Sequence, residues 1–133
     1  MDQEGAPEIS LFTPNEAQKL IPSLKKWMAK LMDLNRKLEK IGFDVFRGRY
    51  EEGRDPNGEG PYPDAFASFV VTVQRFSESG VHLRSIDEGV VGFHSKRDSG
   101  EVVLLVWHYP EDQIEWWHPI ETGYGDRRPL LDF

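Results

Sequence analysis

The sequence predicts an α+β fold, in which an N-terminal helical hairpin packs on a small three- to four-stranded antiparallel sheet. The first part of the chain repeats apolar residues at spacings of three and four, which is the period of a helix. The last part carries short apolar runs separated by turn sequences, which is typical of strands joined by hairpins. The chain has 133 residues, of which 38% are hydrophobic and 12% aromatic, enough for one compact core. We therefore predict a single domain over residues 1–133.

A helix start is encoded in the segment Thr13-Pro14-Asn15-Glu16. Threonine and the glutamate three residues later can form a capping box, and proline at the first helical position lacks the amide hydrogen that would be unpaired there. Pro22 predicts a kink or a short separate lead helix, Gly42 predicts the stop, and residues 1–11 are predicted to be a flexible tail. The apolar stripe of this helix comprises Ala17, Leu20, Ile21, Leu24, Trp27, Met28, Leu31, Leu34, Leu38 and Ile41.

A loop-rich insertion between the helices is predicted at residues 43–63, where glycine, proline, asparagine and aspartate are dense. A connection of this length is unusual in a compact domain. It is either a tolerated surface insertion or a mobile flap over a site, whose chemistry would come from Arg47, Arg49 and Tyr50. The second helix is predicted from Asp64 to Ser79, because aromatic residues and valines recur there at helical spacing before Gly80.

The second half of the chain predicts short strands connected by turns. Glycine-rich and charged segments separate them and suit tight connections. The stretch from Thr122 to Pro129 is predicted to be irregular. The strands are expected at Val81–Ser85, Val90–His94, Val102–Tyr109 and Ile114–His118.

Several stretches of the chain, in their order and spacing, form a pattern that is similar to a known family. They are Phe12–Ala17, Gly80–Leu83, Ile86–Val91, Glu101-Val102, Trp107, Ile114, Trp117-His118, Gly123-Tyr124 and Arg127–Leu130. The pattern resembles a bacterial family known as the domain of unknown function 2203. The resemblance extends from Leu11 to Leu131 and implies the same order of elements, but no activity. The chain departs from the family at Gly92-Phe93-His94 and at His108–Glu111.

Composition excludes several classes of function. The net charge of −7 argues against a polyanion as the main partner. The chain has no cysteine, which excludes disulfides, thiolate metal sites and cysteine nucleophiles. No apolar run is long enough to span a bilayer and the acidic start is unlike a signal peptide, so we expect a cytoplasmic protein. The first helix is nevertheless basic, and nucleic-acid binding would use Lys19, Lys25, Lys26, Lys30, Lys37 and Lys40.

Trp107 and Trp116 are predicted to be cross-strand neighbours, in a pairing that places Tyr109 opposite Ile114. Such a pair is typical of a core, but Trp107 also fits a ligand-binding role. The strand 102–106 is apolar at every position, so both of its faces should be covered. The helical hairpin covers one face. The tail, the insertion or a second subunit covers the other, which predicts a homo-oligomer, with a dimer favoured.

The histidines His94, His108 and His118 fall on successive predicted strands and are weak candidates for a metal site, since three imidazoles and a water can hold zinc. The predicted register places His94 and His108 on one face and His118 on the other, and a shift of one residue would bring all three together. The same register pairs His108 with Glu115, which makes these two the candidates for acid–base catalysis. An ordinary polar pair explains them as well, and no metal or other cofactor is expected.

Asp87, Arg127 and Arg128 are the remaining candidates for ligand binding. Asp87 precedes Glu88-Gly89 and can simply close a turn through its side chain. The two arginines can clamp a carboxylate or phosphate. They can equally pair with a nearby acid such as Asp126 and hold the tail on the sheet, which is the role that the sequence favours.

The sequence thus favours a non-catalytic binding or assembly module. The alternative is a small enzyme or ligand binder with a pocket on the sheet. The two differ in geometry, because the alternative requires a set of polar side chains to converge on one cleft. Those side chains are Asp87, His108, Glu115, His118 and Arg127.

Overall fold

The computed structural model describes residues 9–56 and 63–133. Two helices pack against each other and against one face of an antiparallel sheet. The α+β class is confirmed, and the sheet has five strands where three or four were predicted. Within the described residues, no helix is both long enough and apolar enough to cross a membrane. The helices are α1 (Pro14–Lys40) and α2 (Asp64–Glu78).

The five strands follow one another in the sheet in chain order, each antiparallel to the next. A separate two-stranded hairpin lies within the predicted insertion, so that segment has regular structure of its own. The hairpin consists of β1 (Phe43–Asp44) and β2 (Arg49–Tyr50). The sheet consists of β3 (His82–Ser85), β4 (Val90–Lys96), β5 (Val102–His108), β6 (Trp116–Pro119) and β7 (Arg128–Pro129).

The first helix begins as predicted. Thr13 Oγ1 accepts from the backbone N–H of Glu16 at 3.0 Å, and Glu16 Oε1 accepts from the backbone N–H of Thr13 at 2.9 Å. Pro22 is exposed and does not split the helix. The buried seam comprises Ala17, Ile21, Leu24, Met28, Leu31, Leu34 and Leu38, whereas Leu20 and Trp27 are half-buried and Ile41 is exposed.

The core lies between the helices and the face of the sheet that we call the inner face. The ring of Trp27 on α1 meets that of Phe76 on α2 edge-on, with centroids 5.7 Å apart. Neither α1 nor α2 contributes to a core on the opposite face of the sheet, which we call the outer face. The inner-face residues in the core are Val91, Phe93, Val103, Leu105, Trp107 and Trp117.

The register between β5 and β6 differs by one residue from the prediction. Val106 lies opposite Trp116, so the predicted pairing of Trp107 with Trp116 is wrong. The cause is a contact with α1: Gln18 Nε2 donates to the carbonyl of Asp112 at 2.7 Å, and the backbone N–H of Ile114 donates to Gln18 Oε1 at 3.0 Å. The connection is therefore held by α1, and β6 begins at Trp116.

The predictions for the two ends of the chain have different outcomes. The tail predicted at 1–11 lies mostly outside the described residues, as does the segment 57–62 of the insertion. The C-terminal stretch was predicted to be irregular, yet it forms β7 against β6. The single-domain organisation stays a prediction.

Candidate functional site

His108 and Glu115 do not form the predicted cross-strand pair, because the β5–β6 ladder places Val106 opposite Trp116. The backbone N–H of His108 donates to Glu111 Oε1 at 3.1 Å. Glu115 is exposed, and its carbonyl accepts from Leu130 N–H at 2.9 Å. The acid–base pair therefore lacks the geometry on which its prediction rested.

The corrected register places the three predicted metal candidates on the outer face. His94 lies opposite Leu104, which in turn lies opposite His118, while His108 lies further along β5 opposite Val90. Throughout residues 9–56 and 63–133, no three His, Asp or Glu side chains are grouped closely enough to hold a metal ion. The shared face thus does not bring the three imidazoles together as ligands.

The tail arginines lie on opposite faces of the sheet. The Arg127 guanidinium stacks over Trp116 at 5.3 Å and that of Arg128 over Trp117 at 5.2 Å, and successive residues of a strand point to opposite faces. Arg128 Nη2 also donates to Asp126 Oδ2 at 3.0 Å, which lowers the pKa of Asp126. The two guanidinium groups hold the tail on the sheet and do not converge on one anion.

Trp107 and Asp87 have hydrogen-bond partners of their own. Trp107 is fully buried on the inner face, and its indole Nε1–H donates to the carbonyl of Glu111 at 2.7 Å. Asp87 Oδ1 accepts from Asn35 Nδ2 of α1 at 3.1 Å. The predicted site residues are therefore distributed over the core, both faces of the sheet and its β3 edge.

Arg84, which the sequence did not single out, organises the outer face. The β3–β4 ladder pairs Leu83 with Val91 and Ser85 with Val90, so Arg84 is the extra residue of a β-bulge, which re-aims its side chain. The side chain crosses Gly92, where an added Cβ would lie 3.2 Å from Arg84 Cδ. Its Nη1 then reaches His118 Nε2 at 3.1 Å.

His118 is a neutral imidazole in this arrangement. A guanidinium only donates hydrogen bonds, so Nε2 of the fully buried His118 must accept from Arg84. The ring proton is then on Nδ1, which donates to the carbonyl of Pro119 at 2.6 Å. The neutral imidazole thus holds the Arg84 guanidinium by a hydrogen bond, without a carboxylate.

The ring of His94 lies edge-on to that of His82, with centroids 4.9 Å apart. Burial lowers the pKa of His94 below its ordinary value, and the nearby His82 and Arg84 lower it further. Protonation of His94 is therefore disfavoured in the folded state.

The stability of the protein is expected to fall as the pH is lowered from about 7.5 to about 5.5, in part through His94. Because folding lowers the pKa of His94, the unfolded chain takes up a proton first, at about pH 6.5. The stabilisation is complete above that pH and is lost as the pH falls through the folded pKa. Urea unfolding at both pH values should show a smaller loss for His94→Gln than for the wild type. Equal losses would contradict this role.

A groove of about 820 Å³ lies between α2, the β1–β2 hairpin and the edge strand β3. Its volume falls within the range of about 300–1,000 Å³ that is usual for ligand sites. Phe46, near the tip of the hairpin, is 89% exposed, and Val70 of α2 is 38% exposed. The apolar lining comprises Phe43, Val45, Phe46, Phe66, Phe69, Val70, Val73, Leu83 and Ile86.

The charged residues that line this groove, which we call its rim, are four carboxylates and one guanidinium, that of Arg84. One of the carboxylates, Asp87, was a predicted ligand-binding residue. Asp44 Oδ1 accepts from the backbone N–H groups of Phe46 and Arg47 at 2.9 and 3.1 Å, which fixes the hairpin turn that presents the Phe46 ring. The four acidic residues are Glu39, Asp44, Glu51 and Asp87.

Comparison with known families matches residues 10–130 to the model of an uncharacterized conserved protein family (DUF2203). The chain belongs to the DUF2203 family. The match includes both helices and the sheet strands up to β7, in agreement with the resemblance seen in the sequence. No curated protein and no solved structure matches the chain. Since DUF2203 has no assigned activity, the function must be argued from the geometry.

Proposed function

We propose that this DUF2203 protein is a non-catalytic assembly module that forms a homodimer through the groove. Phe46 carries the proposal: its ring is 89% exposed and lines an apolar groove of about 820 Å³. Burying a phenylalanine side chain contributes about 1.5–3 kcal/mol. Because the hairpin turn leaves the Phe46 ring exposed to solvent, the ring is well placed to contact a second copy of the chain.

This surface differs from the sheet face on which the sequence-based prediction of a dimer rested. Leu104 and Val106 on the outer face are only 7% and 1% exposed in the single chain, so the strand 102–106 needs no second subunit to cover it. The exposed apolar side chains on the hairpin and α2 remain, namely Phe46, Val70 and Val71.

A two-fold axis would make the contact twice, with each Phe46 entering the groove of the other copy. Arg47 follows Phe46 in the hairpin, its Nε lies 3.6 Å from Asp44 Oδ2 of the same chain, and its side chain is still 70% exposed. The rim that it would meet carries Glu39, Glu51 and Asp87. An apolar ring with an adjacent cation thus complements an apolar groove with an anionic rim.

The Phe46→Ser variant tests this interface. Since a dimer contains two Phe46 contacts, we expect the dissociation constant to rise by about 100-fold or more. Sedimentation velocity over a concentration series, with native mass spectrometry, measures the change. Leu131→Ser is the matched control, because Leu131 is 98% exposed and does not line the groove. An unchanged dimer fraction in Phe46→Ser, or a wild-type monomer at high concentration, would contradict the proposal.

A second candidate is a small-ligand binder that uses the same groove. Apolar walls with four carboxylates at the rim suit an amphipathic organic cation. Native mass spectra distinguish the two, because a ligand binder would appear as a monomer with added mass. The enzyme alternative, with a pocket on the sheet, has less support, since its five polar residues do not converge on one cleft.

We also propose that the protein acts in the bacterial cytoplasm without a nucleic-acid partner. On α1, Lys25 pairs with Asp112, and Lys37 Nζ lies 3.1 Å from Asp33 Oδ2, so part of its basic charge is neutralised. Binding to DNA or RNA that weakens steeply with salt would contradict this view.

A further inference from the structure

The positions of β3 to β6 on the outer face of the sheet include the cations Arg84 and Lys96 and no acid, while Asp126, beyond β6, is the acid whose charge interacts with His118. In a chain of net charge −7, none of the outer-face positions in the described ladders of β3 to β6 is an aspartate or glutamate. Arg84 and Lys96 are the permanent cations on this face, and four histidines lie beside them, so the face is basic although the protein is acidic. The basic and titratable residues at these positions are His82, Arg84, His94, Lys96, His108 and His118.

Arg84 is held in place by contacts that leave part of its guanidinium available. The bulge and Gly92 direct it across the sheet, and Nη1 is held by the neutral His118. Among residues 9–56 and 63–133, it forms no ion pair with a carboxylate. Its remaining N–H groups lie in the rigid fork that matches the oxygens of a phosphate or carboxylate.

His82 and His94 provide further donors beside this guanidinium. His82 is exposed, and its ring contacts that of His94. From these contacts we propose that Arg84, His82 and His94 form a binding site for a small oxyanion on the outer face. This site is separate in chemistry from the apolar dimer groove, although Arg84 also borders the groove.

The site couples anion binding to protonation. On β3, the titratable His82 and the cationic Arg84 lie near His94. On β5, the apolar Leu104 lies opposite His94, and His118 of β6 lies opposite Leu104 on its other side. Burial lowers the pKa of His94, and His82 and Arg84 lower it further. An oxyanion between these groups offsets the contribution of the two charges because it stabilises the imidazolium. Binding is therefore accompanied by proton uptake and is tighter at lower pH.

Histidine NMR titrations of the full chain test the site, with inorganic phosphate compared against chloride at matched ionic strength. We expect phosphate to raise the pKa of His94 by roughly half a unit or more. The rise should be lost in Arg84→Gln and retained in Arg75→Gln, which removes an exposed arginine of α2. The same pKa in phosphate and chloride, or a phosphate effect that persists in Arg84→Gln, would overturn the proposal.

A second variant and a second anion complete the test of the site. If Arg84→Gln fails to fold, His82→Gln replaces an exposed side chain and should weaken phosphate binding at least several-fold; undiminished binding would overturn the site. Acetate, tested in the same way, asks whether the site also takes a carboxylate: a second rise in the pKa of His94 that is lost in Arg84→Gln supports the proposal, and one that persists in Arg84→Gln would overturn it. Phe46→Ser should bind phosphate as the wild type does, so failure of the dimer proposal leaves this site standing.

Discussion

Replacing Leu31 with aspartate is expected to unfold the protein at room temperature. Leu31 is fully buried in the seam of α1, where loss of a leucine side chain costs about 2–5 kcal/mol. A buried carboxylate without a partner adds several more kcal/mol. The sum is comparable to the whole stability of a typical domain, about 5–15 kcal/mol. Far-UV circular dichroism and urea unfolding should show the loss of the cooperative transition.

Ala29→Asp is the matched control for this substitution. Ala29 is exposed on the same helix, two residues before Leu31. The change introduces the same charge without burying it, and the loss of helix propensity costs less than about 1 kcal/mol. If Leu31→Asp melted like the wild type, the stripe would not be the core of this fold.

The helices were predictable because the signals that specify them are local. The capping residues Thr13 and Glu16 are three positions apart, and the apolar period is visible within a single segment. The exact centre of the stripe was not predictable. It depends on the direction from which α2 and the sheet approach, which leaves Trp27 half-buried and Met28 fully buried.

The wrong register predicted between β5 and β6 affected more site predictions than any other error, because a slip of one residue moves every side chain to the other face. The predictions for Trp116, Glu115 and His118 all depended on it. The contact that sets the register joins Gln18 to Ile114, 96 residues apart in the chain. No turn rule applied to residues 109–115 contains that information.

The Arg84 cluster was hidden for a related reason. A bulge cannot be inferred from alternation alone, since it breaks the alternation at the residue concerned. One signal was present, however. Gly92 and His94 belong to a segment in which the sequence resemblance predicts a difference from the family, and Gly92 leaves room for the Arg84 side chain. This difference pointed to the outer face of the sheet, but it did not point to Arg84.

Trp107→Ala is expected to destabilise the protein by about 3–5 kcal/mol, the usual cost of truncating a buried aromatic residue. Trp107 is fully buried, its Nε1–H is bonded to Glu111, and its ring meets Tyr109 edge-on at 6.2 Å. Urea unfolding measures the loss. A residue reserved for ligand binding would behave differently, because its truncation would leave the stability of the free protein nearly unchanged.

Trp116 provides the control that separates packing from register. It is half-buried on the outer face beneath Arg127, so Trp116→Ala should cost less than Trp107→Ala. A double-mutant cycle of Trp107→Phe and Trp116→Phe adds a sharper test. Side chains on opposite faces of the sheet do not touch, so their effects should add to within about 0.5 kcal/mol. A coupling energy well above about 1 kcal/mol would mean that the two rings are in contact and that the register has Trp107 opposite Trp116.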